Sequence, residues 1–299
     1  MQGVLGSVAP STLRAYSAAL AHFLAFAGAA GGGGAWPTSQ DIVLRYLVHL
    51  KGSGLSPRSM RRDLAAVSFF SKAQGFPDPC CGFIVRRALE GWARLTPLPP
   101  DRRRPITLDI LERVLRALPG LCWSPGEARL FRAAFVVAFY SAFRVSEVAA
   151  GSRSDTSGRA LASSDLTCSP RRVTITLRRS KTDQRGRGST VTLRAARHRL
   201  LCPVRAVRAF LECRPPHPGP LFIHEDGSPL SRYQFSSVLR ACLQSAGLPP
   251  MQFGSHSFRI GAATVAADLG LPAPVIQSIG RWHSSAFHSY IRPTGGALH

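Results

Sequence analysis

A chain of 299 residues, 45% of them hydrophobic, is long enough for two ordinary domains, each with a core of its own. Its formal net charge of +22, from 38 Lys and Arg against 16 Asp and Glu, marks a polyanion partner, nucleic acid first, unless codon bias in a GC-rich genome has inflated the arginine. Seven scattered cysteines, odd in number and without C-x-x-C spacing, argue against a zinc site and a disulfide framework and point to an intracellular protein with reduced thiols, while an N-terminus not of signal type and a most apolar run, residues 133–140, too short to span a bilayer lead us to expect no membrane partner.

Residues 11–27 carry Leu13, Tyr16, Leu20, Phe23, Leu24 and Ala27 at helical spacing, with Ser11 as the expected cap. The glycines at 31–34 end that helix in a flexible loop. A second helix is expected over 39–51, with Ile42, Leu44, Tyr46, Leu47 and Leu50 as its apolar residues. A third is opened by Ser56-Pro57 and carries Arg58, Arg61 and Arg62 on one surface, ahead of Leu64, Val67, Phe69 and Phe70. A fourth covers 83–94. The three arginines are either a solvated charge face or, as we read them, contacts to a duplex backbone. Residues 1–95 therefore read as a small all-helical DNA-binding domain. Four prolines around Arg102-Arg-Arg104 make residues 96–105 a linker, and 106–299 a second domain.

In the second domain Thr107 caps a helix over 108–118, and residues 127–148 form a long apolar helix and its continuation. Residues 172–177 and 189–193 alternate with period two, and the polar stretch 181–188 between them reads as an extended hairpin turn. Helices follow from Pro203 to about 212 and over 231–246, the second stopping at Gly247, with a short extended piece at 220–224 between them. Residues 257–269 form an Ala-rich helix with Ser255 as cap and Gly270 as stop. His256 and Arg259, three apart, share a face of its first turn, a natural anion site. One more helical segment spans 274–280, and a last one begins near Ser284 and carries Tyr290.

Candidate chemistry gathers at a few of these positions. Arg144 leaves an apolar segment and needs a carboxylate or phosphate partner, for which Glu147 is at hand. Lys181 in the hairpin is a solvated charge or a mobile general acid, with Arg185 and Arg187 beside it as phosphate contacts. There is no dense acidic cluster to hold Mg²⁺, so no metal site is expected. His288, two before Tyr290, reads as structural.

Ala142-Phe-Arg-Val-Ser-Glu147, the hairpin Lys181, His256-Ser-Phe-Arg259, Trp282 and Tyr290 occur in an order and at spacings by which residues 105–292 resemble the tyrosine recombinase (phage integrase) family. The Ser-Lys-Thr-Asp-Gln hairpin and Gly280-Arg-Trp…Tyr-Ile-Arg292 look most like the recombinases of eukaryotic DIRS-like and Crypton mobile elements. The resemblance implies a mainly α protein: an N-terminal helical core-binding (SAM-like) domain and a mostly helical catalytic domain with a small antiparallel sheet.

It also implies double-stranded DNA as partner, a homotetramer on paired sites, a nuclear location, and strand cleavage and transfer without metal, cofactor or ATP. Arg144 and Arg259 would clamp the phosphate, Lys181 protonate the leaving 5′ oxygen, His256 exchange a proton with the nucleophile Tyr290, and Trp282 donate its indole N–H. Trp282 stands eight residues before Tyr290, one fewer than usual in phage and bacterial members, which leaves His283 as the alternative. Only nine residues follow Tyr290, so assembly is expected to use surfaces other than an exchanged C-terminal segment, or the copy is truncated. A DNA-binding descendant that no longer recombines is the main alternative to an active enzyme, and a relaxing topoisomerase is a third reading.

Overall fold

The computed structural model describes residues 2–29, 36, 38–96, 101–155, 157–178 and 188–293. They form two compact units, Met1–Asp101 and Arg102–His299.

The first unit is helical. A short α1 (Gln2–Leu5) precedes α2 (Pro10–Ala29), α3 (Gln40–Gly52), α4 (Pro57–Ala73) and α5 (Phe83–Leu95). Helix α2 packs along α4, and their apolar faces, with those of α3 and α5, enclose Phe23, Tyr46, Leu47, Met60, Val67 and Val85. Ser39 and Ser56 cap α3 and α4 by accepting from the N–H groups of Ile42 and Ser59. Ser11 does not cap α2. The helix opens one residue earlier, at Pro10, whose fixed φ and missing N–H suit a first turn, so Ser11 lies inside it.

The second unit begins with α6 (Leu108–Leu121), α7 (Pro125–Tyr140) and the single turn α8 (Val145–Val148). A three-stranded antiparallel sheet follows, β1 (Leu166–Cys168), β2 (Arg172–Leu177) and β3 (Ser189–Arg194), in that order across the sheet. Val173 pairs with Leu193 and Ile175 with Val191, which turns one apolar face of the sheet inward beneath α9 (Pro203–Leu211). Helices α10 (Arg232–Ser245), α11 (Ser257–Asp268) and α12 (Ala273–Gly280) and a 3-10 segment, Ser285–Tyr290, complete the unit. Helix α7 is its axis, buried from Leu130 to Phe139 apart from Arg132. The Phe135 ring lies 4.8 Å from Phe235 of α10 and 5.4 Å from Phe258 of α11.

Three details place the site. The apolar stretch expected as one helix and its continuation breaks at residues 141–143. There Ala142 takes φ 45°, and the N–H groups of Ala142 and Phe143 close α7 onto Phe139 and Ala138. Ser255 is not the cap of α11. Instead Gly254 and Ser257 close a turn on each other, Ser257 N–H to Gly254 O (2.9 Å) and Gly254 N–H to Ser257 Oγ (3.1 Å), and the helix opens directly from His256. Gly261 of α11 lies under the chain entering α6, where Ile106 N–H donates to Ser257 O and a Cβ on Gly261 would overlap the Ile106 carbonyl.

Candidate active site

The turn at 141–143 delivers Arg144 to the first residue before α8. There the Glu147 carboxylate accepts the Arg144 backbone N–H (2.9 Å) and its Nη1 (3.1 Å), a side-chain version of a capping box. The Arg144 side chain keeps 21% of its surface exposed while Glu147 keeps 4%. The pairing foreseen for these two residues is present, and Arg144 retains free donors toward solvent.

Arg259, on the first turn of α11, is wholly buried. Its Nη1 donates to Ala142 O (2.6 Å) and its Nη2 to Gly280 O (2.7 Å), so one guanidinium ties the turn before Arg144 to the end of α12. Burial, reinforced by Arg144, holds its pKa below the ordinary arginine value, with Tyr290 and Glu147 acting in the opposite sense. The guanidinium carbon lies 4.3 Å from the Trp282 ring and 5.2 Å from that of Tyr290. The Tyr290 ring neighbours those of His256 at 5.1 Å and Trp282 at 5.0 Å between centroids. Gly280 makes room for this packing, since a Cβ there would overlap the indole.

His256, Arg259, Trp282 and Tyr290 are thus gathered within contact range, and Arg144 follows two residues after the Ala142 carbonyl that Arg259 holds. Arg259 Nε and Trp282 Nε1 are buried and have no acceptor among the described residues. His283 is exposed, so of the two neighbours it is Trp282 that meets Tyr290, while the His288 ring lies tilted against Phe287 at 4.0 Å. Lys181, Arg185 and Arg187 lie outside the described residues. Arg58, Arg61 and Arg62 are exposed on α4 of the first unit, and Arg62 also binds the buried Asp63 through Nε (3.0 Å) and Nη2 (2.9 Å).

Arg281 escaped the sequence reading. It stands nine residues before Tyr290, in the Gly280-Arg-Trp run of which only the tryptophan was given a role. Its Nη1 donates to Ser141 O (2.9 Å), its Nη2 to Glu147 Oε2 (3.1 Å), and its guanidinium lies 4.6 Å from the Phe143 ring. Arg144 and Arg281 therefore share a single carboxylate, Arg259 lies close enough to feel its charge, and the excess positive charge suits an anion. A separate cavity of about 700 Å³ is lined by Arg132, Arg199, Arg205 and Arg208 with Glu212, and no residue of the tyrosine cluster borders it. Among the described residues no group of three or more His, Cys, Asp or Glu is placed to hold a metal, and no helix is long and apolar enough to cross a membrane.

Comparison with known proteins matches residues 107–292 to the phage integrase family and residues 5–73 to the phage integrase N-terminal SAM-like domain. An integrase/recombinase xerD homolog of Selenomonas ruminantium is 27% identical over 275 residues, 85% of this chain and 74% of that one. Among solved structures, the XerH site-specific recombinase bound to palindromic difH substrate, in a post-cleavage complex, has a TM-score of 0.66 at 17% identity, over 93% of this chain and 75% of that one. The Tn1549 transposon integrase in complex with transposon right end DNA has a TM-score of 0.61 at 15% identity, over 95% and 89%. At these identities the solved structures speak for the shared fold.

Proposed function

The chain belongs to the phage integrase family, and on that premise we propose that it is a site-specific recombinase that cuts and rejoins duplex DNA with Tyr290 as nucleophile. The Tyr290 oxygen attacks the scissile phosphorus, a phosphorus–tyrosine ester forms, and the bond to the 5′ oxygen breaks. The phenolic proton passes to His256, and the departing 5′ oxygen takes a proton from Lys181. The product is a 3′-phosphotyrosyl link and a free 5′ hydroxyl. Because one ester replaces another, the reverse attack by a 5′ hydroxyl of a second strand restores the backbone without ATP.

The observation that carries this reading is the pair of buried donors, Arg259 Nε and Trp282 Nε1, beside the ring of Tyr290. A buried N–H without an acceptor costs stability, and such groups persist where function uses them. Non-bridging phosphate oxygens are fitting acceptors, and the transition state concentrates its charge on them. Arg259 has five N–H groups and gives one to each of two carbonyls, so it can hold phosphate without releasing the backbone. Its complete burial means that Trp282 or Tyr290 must shift to admit the DNA. Arg144, partly exposed, supplies the second fork.

We assign the finer features on resemblance and charge: Arg58, Arg61 and Arg62 to backbone contact, Arg185 and Arg187 to phosphate contact near the cut, a homotetramer on paired sites, and an origin in a DIRS-like or Crypton-like element with a nuclear location. The test is incubation with nicked suicide duplexes from a randomised pool in the presence of a chelator, with Tyr290→Phe and Arg259→Ala beside the wild type. The reading expects a covalent protein–DNA band, absent from Tyr290→Phe and slowed about a hundredfold or more in Arg259→Ala. DNA binding without any adduct would replace it with the DNA-binding descendant, and an adduct without joining of two sites would favour a topoisomerase.

A further inference from the structure

We infer that Arg281 is a positioning residue that sets the place of Arg144, and that this is why an arginine occupies a backbone site suited to glycine. The inference rests on the reading of Arg144 as a phosphate-binding residue of the reaction.

Arg281 ends α12 in the left-handed region, at φ 55° and ψ 44°. Its N–H closes onto Ser278, and that of Trp282 onto Gln277 O (2.9 Å), the bonding of a helix stop in which glycine is the usual residue because a Cβ is strained there. Strain of this kind persists where the surroundings over-determine it, and here they do. The side chain is 13% exposed and reaches two acceptors that both belong to the mounting of Arg144. One is Ser141 O, in the turn that precedes Arg144. The other is Glu147 Oε2, the same oxygen that accepts the Arg144 backbone N–H, while Glu147 Oε1 takes Arg144 Nη1. The Phe143 ring fills the space beneath the guanidinium.

The turn that carries Arg144 is itself strained, with Ala142 at φ 45°. It is gripped by two arginines from the far side of the site: Arg259 on Ala142 O and Arg281 on Ser141 O. Arg259 also holds Gly280 O, the residue before Arg281, so the tyrosine-bearing end of the chain and the Arg144 turn are fastened as one body. Burial brings Arg281 down to about 10, which leaves it charged at neutral pH and able to hold the carboxylate. A lysine there would keep the charge and lose the planar fork that spans a carbonyl and a carboxylate together.

The test compares single-turnover cleavage of a suicide duplex at saturating protein for the wild type, Arg281→Gly, Arg281→Lys, Arg144→Ala and the two double variants, with Kd for DNA and thermal unfolding measured on each. Arg281→Gly removes the guanidinium while relieving the backbone, and Arg281→Lys keeps a cation if the glycine variant proves too unstable. The expected result is a fall in cleavage rate of about a hundredfold for Arg281→Gly, the usual consequence of misplacing a reacting group by about 1 Å, with Kd changed less than about twofold. In the Arg144→Ala background the same change should cost almost nothing more, because the residue it positions is gone. Equal losses in both backgrounds, or a wild-type rate in folded Arg281→Gly, would overturn the inference. Wild-type cleavage by Arg144→Ala would instead overturn the reading on which it rests.

Discussion

Replacing Glu147 by Gln tests the electrostatic centre of the site without changing its shape. The carboxylate is 4% exposed and accepts three hydrogen bonds, from the Arg144 backbone (2.9 Å), Arg144 Nη1 (3.1 Å) and Arg281 Nη2 (3.1 Å). Among the described residues it is the one carboxylate paired with Arg144 and Arg281, whose side chains are 21% and 13% exposed and therefore little screened. Removing one partner of a buried pair costs about 3–5 kcal/mol, and since the glutamine carbonyl keeps part of the bonding, the lower end, about 3 kcal/mol, applies. For a unit of this size each kcal/mol moves Tm by about 2–4 °C, so the transition of the second unit should fall by about 6–12 °C. Calorimetry or far-UV circular dichroism in a sulfate-free buffer reads it. Added sulfate should restore more stability to Glu147→Gln than to the wild type, because the arginines then lack their carboxylate. A fall below about 2 °C, where a surface ion pair would lie, would refute the buried role of Glu147.

Three further outcomes follow from the same structure. Gly261→Ala would gain about 1 kcal/mol of helix propensity but force a Cβ into the Ile106 carbonyl, an overpacking that costs about 1–3 kcal/mol or more, so calorimetry should show a lower Tm despite the better helix former. Burial raises the Cys80 and Cys242 thiols to about 12 and Cys122 to about 11, which lowers their thiolate fraction at any given pH. Iodoacetamide at pH 8 should therefore label the exposed Cys81 ahead of these three, and all seven in guanidinium, as read by mass spectrometry; rapid native labelling of Cys242 would contradict the core. Arg58→Ala and Arg61→Ala should each lower the slope of log affinity against log salt by about 0.9 without loss of Tm, whereas Arg62→Ala should also destabilise the first unit because it leaves Asp63 buried without its partner. An unchanged salt slope would leave those arginines as a solvated face.

Much of the site was legible because its chemistry sits on strong local patterns. Three-residue spacing at the head of an Ala-rich helix put His256 and Arg259 together, and period-two alternation located β2 and β3. What stayed hidden depends on backbone geometry that side-chain patterns do not report. The helix break before Arg144 uses an alanine, not a glycine, in the left-handed region, so the apolar run shows no stop. Strand β1, three residues long, is too short to display alternation. Ser255 has the chemistry of a cap, yet Ser257 takes the closing bond because the chain turns at Gly254. Nothing local to Arg281 sets it apart from the other arginines, because its partners, Ser141 and Glu147, lie 140 and 134 residues away. Its nine-residue distance from Tyr290 was the available signal.

The claim that the rest depends on is that Tyr290 forms the bond to DNA. The direct measurement is to trap the adduct on a suicide duplex, digest with trypsin and nuclease, and locate the phosphodiester remnant by tandem mass spectrometry. Trypsin does not cleave before Pro293, so the expected product is a modified peptide running from Trp282 to His299 with the remnant on Tyr290, and no adduct forms with Tyr290→Phe. A remnant on any other residue, or an undiminished adduct from Tyr290→Phe, would contradict it.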